Sequence, residues 1–463
     1  MHCSSFLNET GILTVTLTEI SSWVESHPPP CYFEKMGSKI RVTIESMAFR
    51  GYGVARVDGK VAFIPYSIEG EKAWVEVIEE KKDYSIGRLI DLIEPSPWRT
   101  KPFCPYFGAC GGCQWQHIDY SVHGEFKRAI LREVLRRIGK LREVPSVALA
   151  PSAEAFGYRV RVQLKANNKA IGYYAERSHD IVDIGHCPIS HPGVNQIISV
   201  LREELRFFSG MREIEINFSP EEGKGILILH LHAFYRFHRE QELFLRDFLC
   251  SHPTLKGIVV VKKGGSTLLG NPCLNFTLPL EQDGMKRSLS LRTSPGSFFQ
   301  VNLKQNHRLI RTVIEFSSAG RSERVLDLYS GVGNFTLPMA LEAKEVIGIE
   351  ENGVAVEDAR FSVEKNKIKN CGILQGKVER ITKSWAKEAP DLLILDPPRA
   401  GCGRILGPII NLKPAKIVYV SCDPTTFARD LRLFSEKGYL LRKLALIDMF
   451  PQSYHMEAVG LLE

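Results

Sequence analysis

No apolar run in the 463 residues approaches the length of about eighteen that a membrane-spanning helix needs, so no membrane partner is expected. A basic leader is missing too. Met1 to Pro30 holds Glu9, Glu19 and Glu25 and neither lysine nor arginine, which speaks against a signal peptide. Neither sign of charge dominates: 60 lysines and arginines against 53 acids leave +7, compatible with a polyanion partner without naming one. The 11 cysteines are odd in number and unevenly spaced. They argue against a disulfide framework and for thiols at work in a reducing compartment, the cytoplasm. The length allows two or three domains with an ample core.

What the sequence does contain is organised around Val325 to Pro338, VLDLYSGVGNFTLP. A short apolar run leads into Gly331 and Gly333, and apolar residues at helical spacing follow (Phe335, Leu337, Met339, Ala340, Leu341). Strand, glycine turn and helix open a nucleotide-type βαβ unit. Glycines there let backbone approach a ligand. The next apolar run, 345–349, ends in Glu350, which lies 19 residues past Gly331, where such folds place the acid that binds ribose hydroxyls. Two later strands run into Asp396-Pro397-Pro398-Arg399 and Ser421-Cys422-Asp423-Pro424. The tail 448–457 leads to Glu457 and a closing apolar run. Ligands in open α/β sheets sit at the carboxyl ends of strands, so these polar tips are expected to converge.

Upstream, the text from Lys39 to Ile93 reads as short strands, with Asp58-Gly59 as a hairpin turn. This predicts a small β-barrel of oligonucleotide-binding type over 37–95, after an extension (1–36) expected to be disordered. A proline-bearing linker leads to Cys104, Cys110 and Cys113, with five and then two residues between them and glycines at 108, 111 and 112. Three thiols this close predict a metal site, with Cys187, in a polar turn beside Pro188, as the fourth ligand. Spacing leaves zinc and an iron–sulfur cluster both open. A helix over 122–141 is expected to show a basic face (Lys127, Arg128, Arg132, Arg136, Arg137, Lys140) and to pack in part on the C-terminal domain. Tyr158 to Lys165 alternates as a strand with one cationic face, a second candidate for gripping phosphates. Residues 195–290 look α+β and offer no site.

With S-adenosylmethionine as ligand, Cys422 names the target. A thiolate can add to C6 of a pyrimidine, which makes C5 a nucleophile for the sulfonium methyl. Glu457 stands ready to remove the C5 proton. On FFQVN at 298–302, DLYSGVGNFTLP, DPPRAG at 396–401, SCDP at 421–424 and HMEAV at 455–459, the chain from about residue 37 resembles the RNA 5-methyluridine methyltransferases, specifically their iron–sulfur branch acting on large-subunit ribosomal RNA. The resemblance implies a C-terminal Rossmann-like methyltransferase domain with a mixed sheet (291–463), an N-terminal TRAM (OB-like) barrel that binds RNA, and a central α+β domain (96–290) carrying a four-cysteine metal site. It implies S-adenosylmethionine contacts at Gln300, Tyr329, Asn334, Glu350 and Asp396, with Cys422 as nucleophile and Glu457 as proton acceptor. Cys104, Cys110, Cys113 and Cys187 match the ligands of a structural 4Fe-4S cluster. The implied substrate is a single-stranded or loop uridine of 23S ribosomal RNA, flipped out for reaction, and the enzyme is expected to be a monomer. Phe298 and Arg159 are placed near the target base, and Lys377 stands where the family pattern has a small polar residue near the adenine.

Other readings make different demands. A radical S-adenosylmethionine methylthiotransferase needs cysteines spaced by three and two, and five and two do not fit. An exocyclic-amine methyltransferase has an aromatic residue where Arg399 stands and no use for Cys422. A 5-methylcytidine enzyme shares the addition chemistry, and contacts to the exocyclic group separate it. Transfer RNA is the alternative substrate, and an RNA-binding assembly factor the non-enzymatic alternative.

Overall fold

The computed structural model describes residues 39–208, 210–282, 285–380 and 389–463. The expected extension at 1–36 lies outside them. The chain divides into two compact units. One holds the described residues up to His123 with Tyr174–Asp180 and Gln452–Tyr454, and the other holds Gly124–Tyr173, Ile181–Pro451 and His455–Glu463.

The first unit is built on a six-stranded sheet in the order Lys39–Thr43, Lys72–Glu80, Tyr84–Glu94, Lys60–Ile64, Gly53–Val57, Ser46–Met47. Its two outermost strands are neighbours in the chain. Ile44 N–H donates to Glu71 O while Glu45 N–H donates to Val54 O, so one extended segment bonds to both sides and the sheet curls. Alternation points Val42, Ile44, Ala55, Val57, Ala62, Ile64, Ala73 and Val75 into one core. Asp58 and Gly59 take φ of 50° and 79°, and Val57 pairs with Lys60 across them. That is the two-residue turn whose twist suits a hairpin.

The second unit carries an eight-stranded sheet. Numbered within this sheet, its strands are β1 Val147–Ala150, β2 Arg324–Leu328, β3 Glu345–Glu350, β4 Cys371–Gln375, β5 Leu392–Leu395, β6 Lys416–Ser421, β7 Leu441–Ile447 and β8 Glu457–Leu462. The spatial order is β4-β3-β2-β5-β6-β8-β7-β1. The strands from β4 across to β6 pair in parallel, and β8 runs antiparallel between β6 and β7. The central strands β5 (LLIL) and β6 (KIVYVS) are buried almost throughout, as continuous apolar runs covered on both faces must be. The helix Leu303–Ser317 buries Leu309, Ile310 and Val313 and starts at Asn302, whose side chain accepts from Gln305 N. A seven-stranded sheet and the hairpin Leu274–Gln282/Met285–Thr293 complete the unit.

One expected basic face keeps Arg132, Arg136, Arg137 and Lys140 exposed but loses Lys127, and a second is corrected. The helix His123–Arg137 forms, but Lys127 is fully buried and its Nζ donates to Asp448 Oδ1 at 2.6 Å and to Phe450 O at 3.1 Å. It is an internal tether and faces no phosphate. The strand Arg161–Ala166 pairs with Met211–Ser219, which brings Glu215 to 3.1 Å from Arg161 and Glu213 onto Lys165. The neighbouring strand therefore neutralises its cations. The helix after the glycine turn is also shorter than its apolar spacing suggested, Thr336–Met339.

Candidate active site

The parallel strands deliver their polar tips to one edge of the sheet. After β2, Tyr329, Gly331 and Gly333 adopt φ of 65°, 54° and 87°, conformations that glycine takes without strain and tyrosine does not. The turn folds back onto β3. Gly331 N–H donates to Glu350 Oε2 at 3.0 Å, and Asn352 N–H donates to the other carboxylate oxygen at 2.7 Å. The expected glycine turn and ribose-type acid are thus joined by a hydrogen bond. Beneath them Asp327 is wholly buried. Thr336 Oγ1 donates to its Oδ2 at 2.5 Å, while its Oδ1 and the Ser330 hydroxyl have no protein partner. Burial pushes the Asp327 carboxyl up to about 7.

Asn334 exchanges amide hydrogen bonds of 2.7 and 2.9 Å with Asn306, so the helix Leu303–Ser317 fixes its orientation. Gln300 is buried just before that helix. Lys377 is paired with Glu351 at 3.3 Å, and both are exposed. Phe298 is 58% exposed with the Arg161 guanidinium 5.4 Å from its ring centre. The backbone of Arg159 bridges to Ser190 and Asn302.

Cys422 and Glu457 lie where β5, β6 and β8 stand side by side. Because β8 is antiparallel, its first residue stands at the edge where the parallel strands end. Ser421 pairs with Ala458, and Ile447 pairs with Glu457. Cys422 and Glu457, 35 residues apart in the chain, are brought together by that register alone. Asp396 begins the segment after β5, and Arg399 follows in the same loop.

Burial pushes the Cys422 thiol up to about 12. The charges of Glu457 and Asp396 push the same way, while the Arg399 cation and its hydrogen bond to the sulfur oppose them. Glu457 is held well above the ordinary carboxylate range by burial first and by Asp396 second, with Arg399 again opposing. Asp396 itself rises to about 7 through burial. His455 is driven down to about 3 by burial and by Arg399, Lys127 and Arg159, and is neutral at physiological pH. The site therefore holds a thiol, two carboxyl groups of raised proton affinity and one cation whose charge acts on both Cys422 and Glu457. In the sequence Arg399 belongs to a converging polar tip and to the DPPRAG motif but carries no role of its own, and Asp327 carries none. The signal for Asp327 was an acid inside an otherwise apolar strand.

The cysteines divide between the units. Cys104, Cys110 and Cys113 occupy a loop of the first unit in which Cys110 N–H donates to Tyr106 O at 2.8 Å, Gly111 N–H to Tyr174 O at 3.0 Å and Gly112 N–H to Cys110 Sγ at 3.4 Å. A Cβ on Gly111 would stand 3.0 Å from Tyr174 O and one on Gly112 would stand 3.4 Å from Cys110 Sγ, so the loop wraps closely and has least room at Gly111. Cys187 is buried in the second unit and exchanges hydrogen bonds with Asn195. Among the described residues no three His, Cys, Asp or Glu side chains are gathered closely enough to hold a metal ion. Among them also no helix is long and apolar enough to cross a membrane.

Comparison with known proteins places this arrangement. Residues 275–463 match the tRNA (Uracil-5-)-methyltransferase family, and residues 34–90 match the TRAM domain. A protein of Aquifex aeolicus named as an uncharacterized RNA methyltransferase is 35% identical over 92% of this chain and 98% of its own. The 23S rRNA (uracil(1939)-C(5))-methyltransferase RlmD of Pectobacterium atrosepticum is 33% identical over 91% and 93%. The crystal structure of Pyrococcus abyssi tRNA (uracil-54, C5)-methyltransferase in complex with S-adenosyl-L-homocysteine superposes with a TM-score of 0.71 at 27% identity, covering 92% of this chain and all of the other. The chain, a mixed α/β methyltransferase fold with a TRAM domain at its N-terminus, belongs to the RNA uracil-5-methyltransferase family.

Proposed function

We propose that the protein methylates C5 of a uridine in 23S ribosomal RNA, with Cys422 as nucleophile and Glu457 as the base that completes the reaction. The observation that carries this reading is the β6–β8 register, which sets a thiol and a buried carboxylate at one strand edge, with the Arg399 cation acting on both from the loop after β5. Relatives named for 23S ribosomal RNA, similar over more than nine-tenths of the chain, favour that substrate over transfer RNA.

The thiolate of Cys422 adds to C6, and the C5=C6 electron pair moves onto C5 and the O4 carbonyl as an enolate. Arg399 is the group in the site that favours the thiolate. S-adenosylmethionine, for which the Gly331 turn, Glu350, Asp396, Tyr329, Gln300 and Asn334 form the binding set, supplies an electrophilic methyl group on a sulfonium. Carbon 5 would take that methyl as the methyl–sulfonium bond breaks, the electron pair staying on sulfur and the neutral thioether leaving. Glu457 then accepts the C5 proton at a carboxylate oxygen, the double bond re-forms and the S–C6 bond breaks. Burial makes Glu457 a stronger base than a solvated carboxylate.

The TRAM domain would hold the RNA substrate. Cys104, Cys110, Cys113 and Cys187 are assigned to a 4Fe-4S cluster. The all-thiol donor set, the tight glycine wrap and an amide directed at Cys110 Sγ support this assignment. The polar chemistry draws no electron from it, so its role would be to hold the fold. Iron and acid-labile sulfide in anaerobically purified protein are expected, whereas stoichiometric zinc in their place contradicts the cluster.

The function is tested by mapping 5-methyluridine in ribosomal and transfer RNA from cells with and without the gene. Loss of one or more 5-methyluridines from 23S RNA alone is expected. Unchanged 23S RNA with a loss in transfer RNA would overturn the substrate.

A further inference from the structure

The helix that begins immediately after Cys422 does more than follow it. Pro424–Ser435 is capped by Asp423, whose Oδ1 accepts from Thr425 N and Thr426 N at 2.8 and 3.1 Å. Further along, Asp430 is completely buried and both its oxygens are engaged. Its Oδ2 accepts from Cys402 N at 2.8 Å and from Tyr419 Oη at 2.8 Å, and its Oδ1 accepts from Arg429 Nε at 2.9 Å and Nη2 at 2.7 Å. The same Arg429 Nη2 donates to Ala400 O at 2.8 Å. Within the loop, Gly401 N–H closes a turn onto Pro398 O at 2.8 Å. Gly401 has φ of 74°, and a Cβ there would stand 2.3 Å from Asp430 Oδ2.

These bonds clamp residues 400–402, the segment directly after Arg399, onto the helix that carries Cys422 at its mouth. Tyr419 ties the same carboxylate to β6, the strand that ends at Cys422. Taking a carboxylate out of water is costly, and a loop needing only closure has cheaper means. We propose that Asp430 is a positioning residue: it fixes the Pro398–Cys402 turn so that the Arg399 guanidinium faces the sulfur of Cys422 and the carboxylate of Glu457. This rests on Cys422 being the nucleophile.

The test is the rate at which saturating 5-fluorouridine RNA and S-adenosylmethionine form a covalent complex with full-length protein, for wild type, Asp430→Asn, Arg399→Ala and the double variant. Asp430→Asn keeps the shape but weakens both the Arg429 and Cys402 contacts. Because a misplacement of about 1 Å costs on the order of 100-fold, a loss of about that size is expected, with RNA affinity unchanged. The double variant should be no slower than Arg399→Ala alone, since both changes remove one interaction. Should Asp430→Asn fail to fold, Gly401→Ala displaces the same turn from its other side and is expected to show the same loss and the same non-additivity. A wild-type rate in Asp430→Asn or Gly401→Ala, or losses that multiply, would overturn the proposal. Absence of any adduct in the wild type would instead remove the nucleophile on which it rests.

Discussion

The two units each bury carboxylates, and they treat them in opposite ways. In the barrel unit Glu71 is wholly enclosed. It accepts from Ile68 N at 2.8 Å, Ser96 N at 3.2 Å, Arg99 Nε at 2.5 Å and Arg99 Nη2 at 2.7 Å. Both oxygens are satisfied and a buried guanidinium balances the charge. At the tips of the large sheet, Asp327 is buried with one oxygen unpartnered, Glu457 is buried with the opposing charge of Arg399 beside it, and these two and Asp396 hold protons more tightly than a solvated acid. A buried acid with a full set of donors fixes the geometry around it. One whose proton affinity is raised is a candidate for proton transfer.

The largest effect expected from breaking that contrast is at Glu457. Glu457→Gln keeps the shape and removes the base, so turnover should fall by about 10²–10⁴-fold. Denaturing gels should then show the enzyme stalled in covalent complex with ordinary methylated RNA. Turnover near the wild-type rate would assign the proton to another group.

Glu71→Ala should do the reverse. It leaves Arg99 buried without its partner and costs about 3–5 kcal/mol of stability, read by denaturant unfolding, with methylation per folded molecule unchanged. A smaller effect belongs to Asp327. Its folded value near 7 lies above the ordinary 3.8, so the stability it contributes is whole below about pH 4 and is lost as pH rises through 7. Asp327→Asn should therefore be more stable than wild type at pH 8, by at most about 4 kcal/mol, with the gap closing at pH 4. A gap of opposite sign, or one independent of pH, would show that Asp327 is ionised in the fold.

The tips were legible in the sequence because the residue that ends each apolar run is fixed by the run itself. Glu350, Asp396 and Cys422 needed no knowledge of neighbours. Glu457 was legible as a candidate base from the chemistry and from the HMEAV motif, but its approach to Cys422 depends on β8 running antiparallel, which no local pattern dictates. Charges along one strand or helix were misread for the same reason. Arg161 and Lys165 look like a phosphate-binding face until Glu215 and Glu213 arrive from the adjacent strand, and Lys127 looks solvated until Asp448 meets it from 321 residues away. Periodicity reports which face an element turns inward. It does not report what waits there.

The central claim is that the Cys422 sulfur bonds to the pyrimidine during methyl transfer. Mass spectrometry of the protein after reaction with 5-fluorouridine-substituted 23S fragments and S-adenosylmethionine tests it most directly. The account predicts a methylated fluorouridine adduct on the peptide containing Cys422, absent from Cys422→Ala. Methyl transfer to unsubstituted RNA at full rate by Cys422→Ala, or an adduct mapped to any other residue, would contradict it.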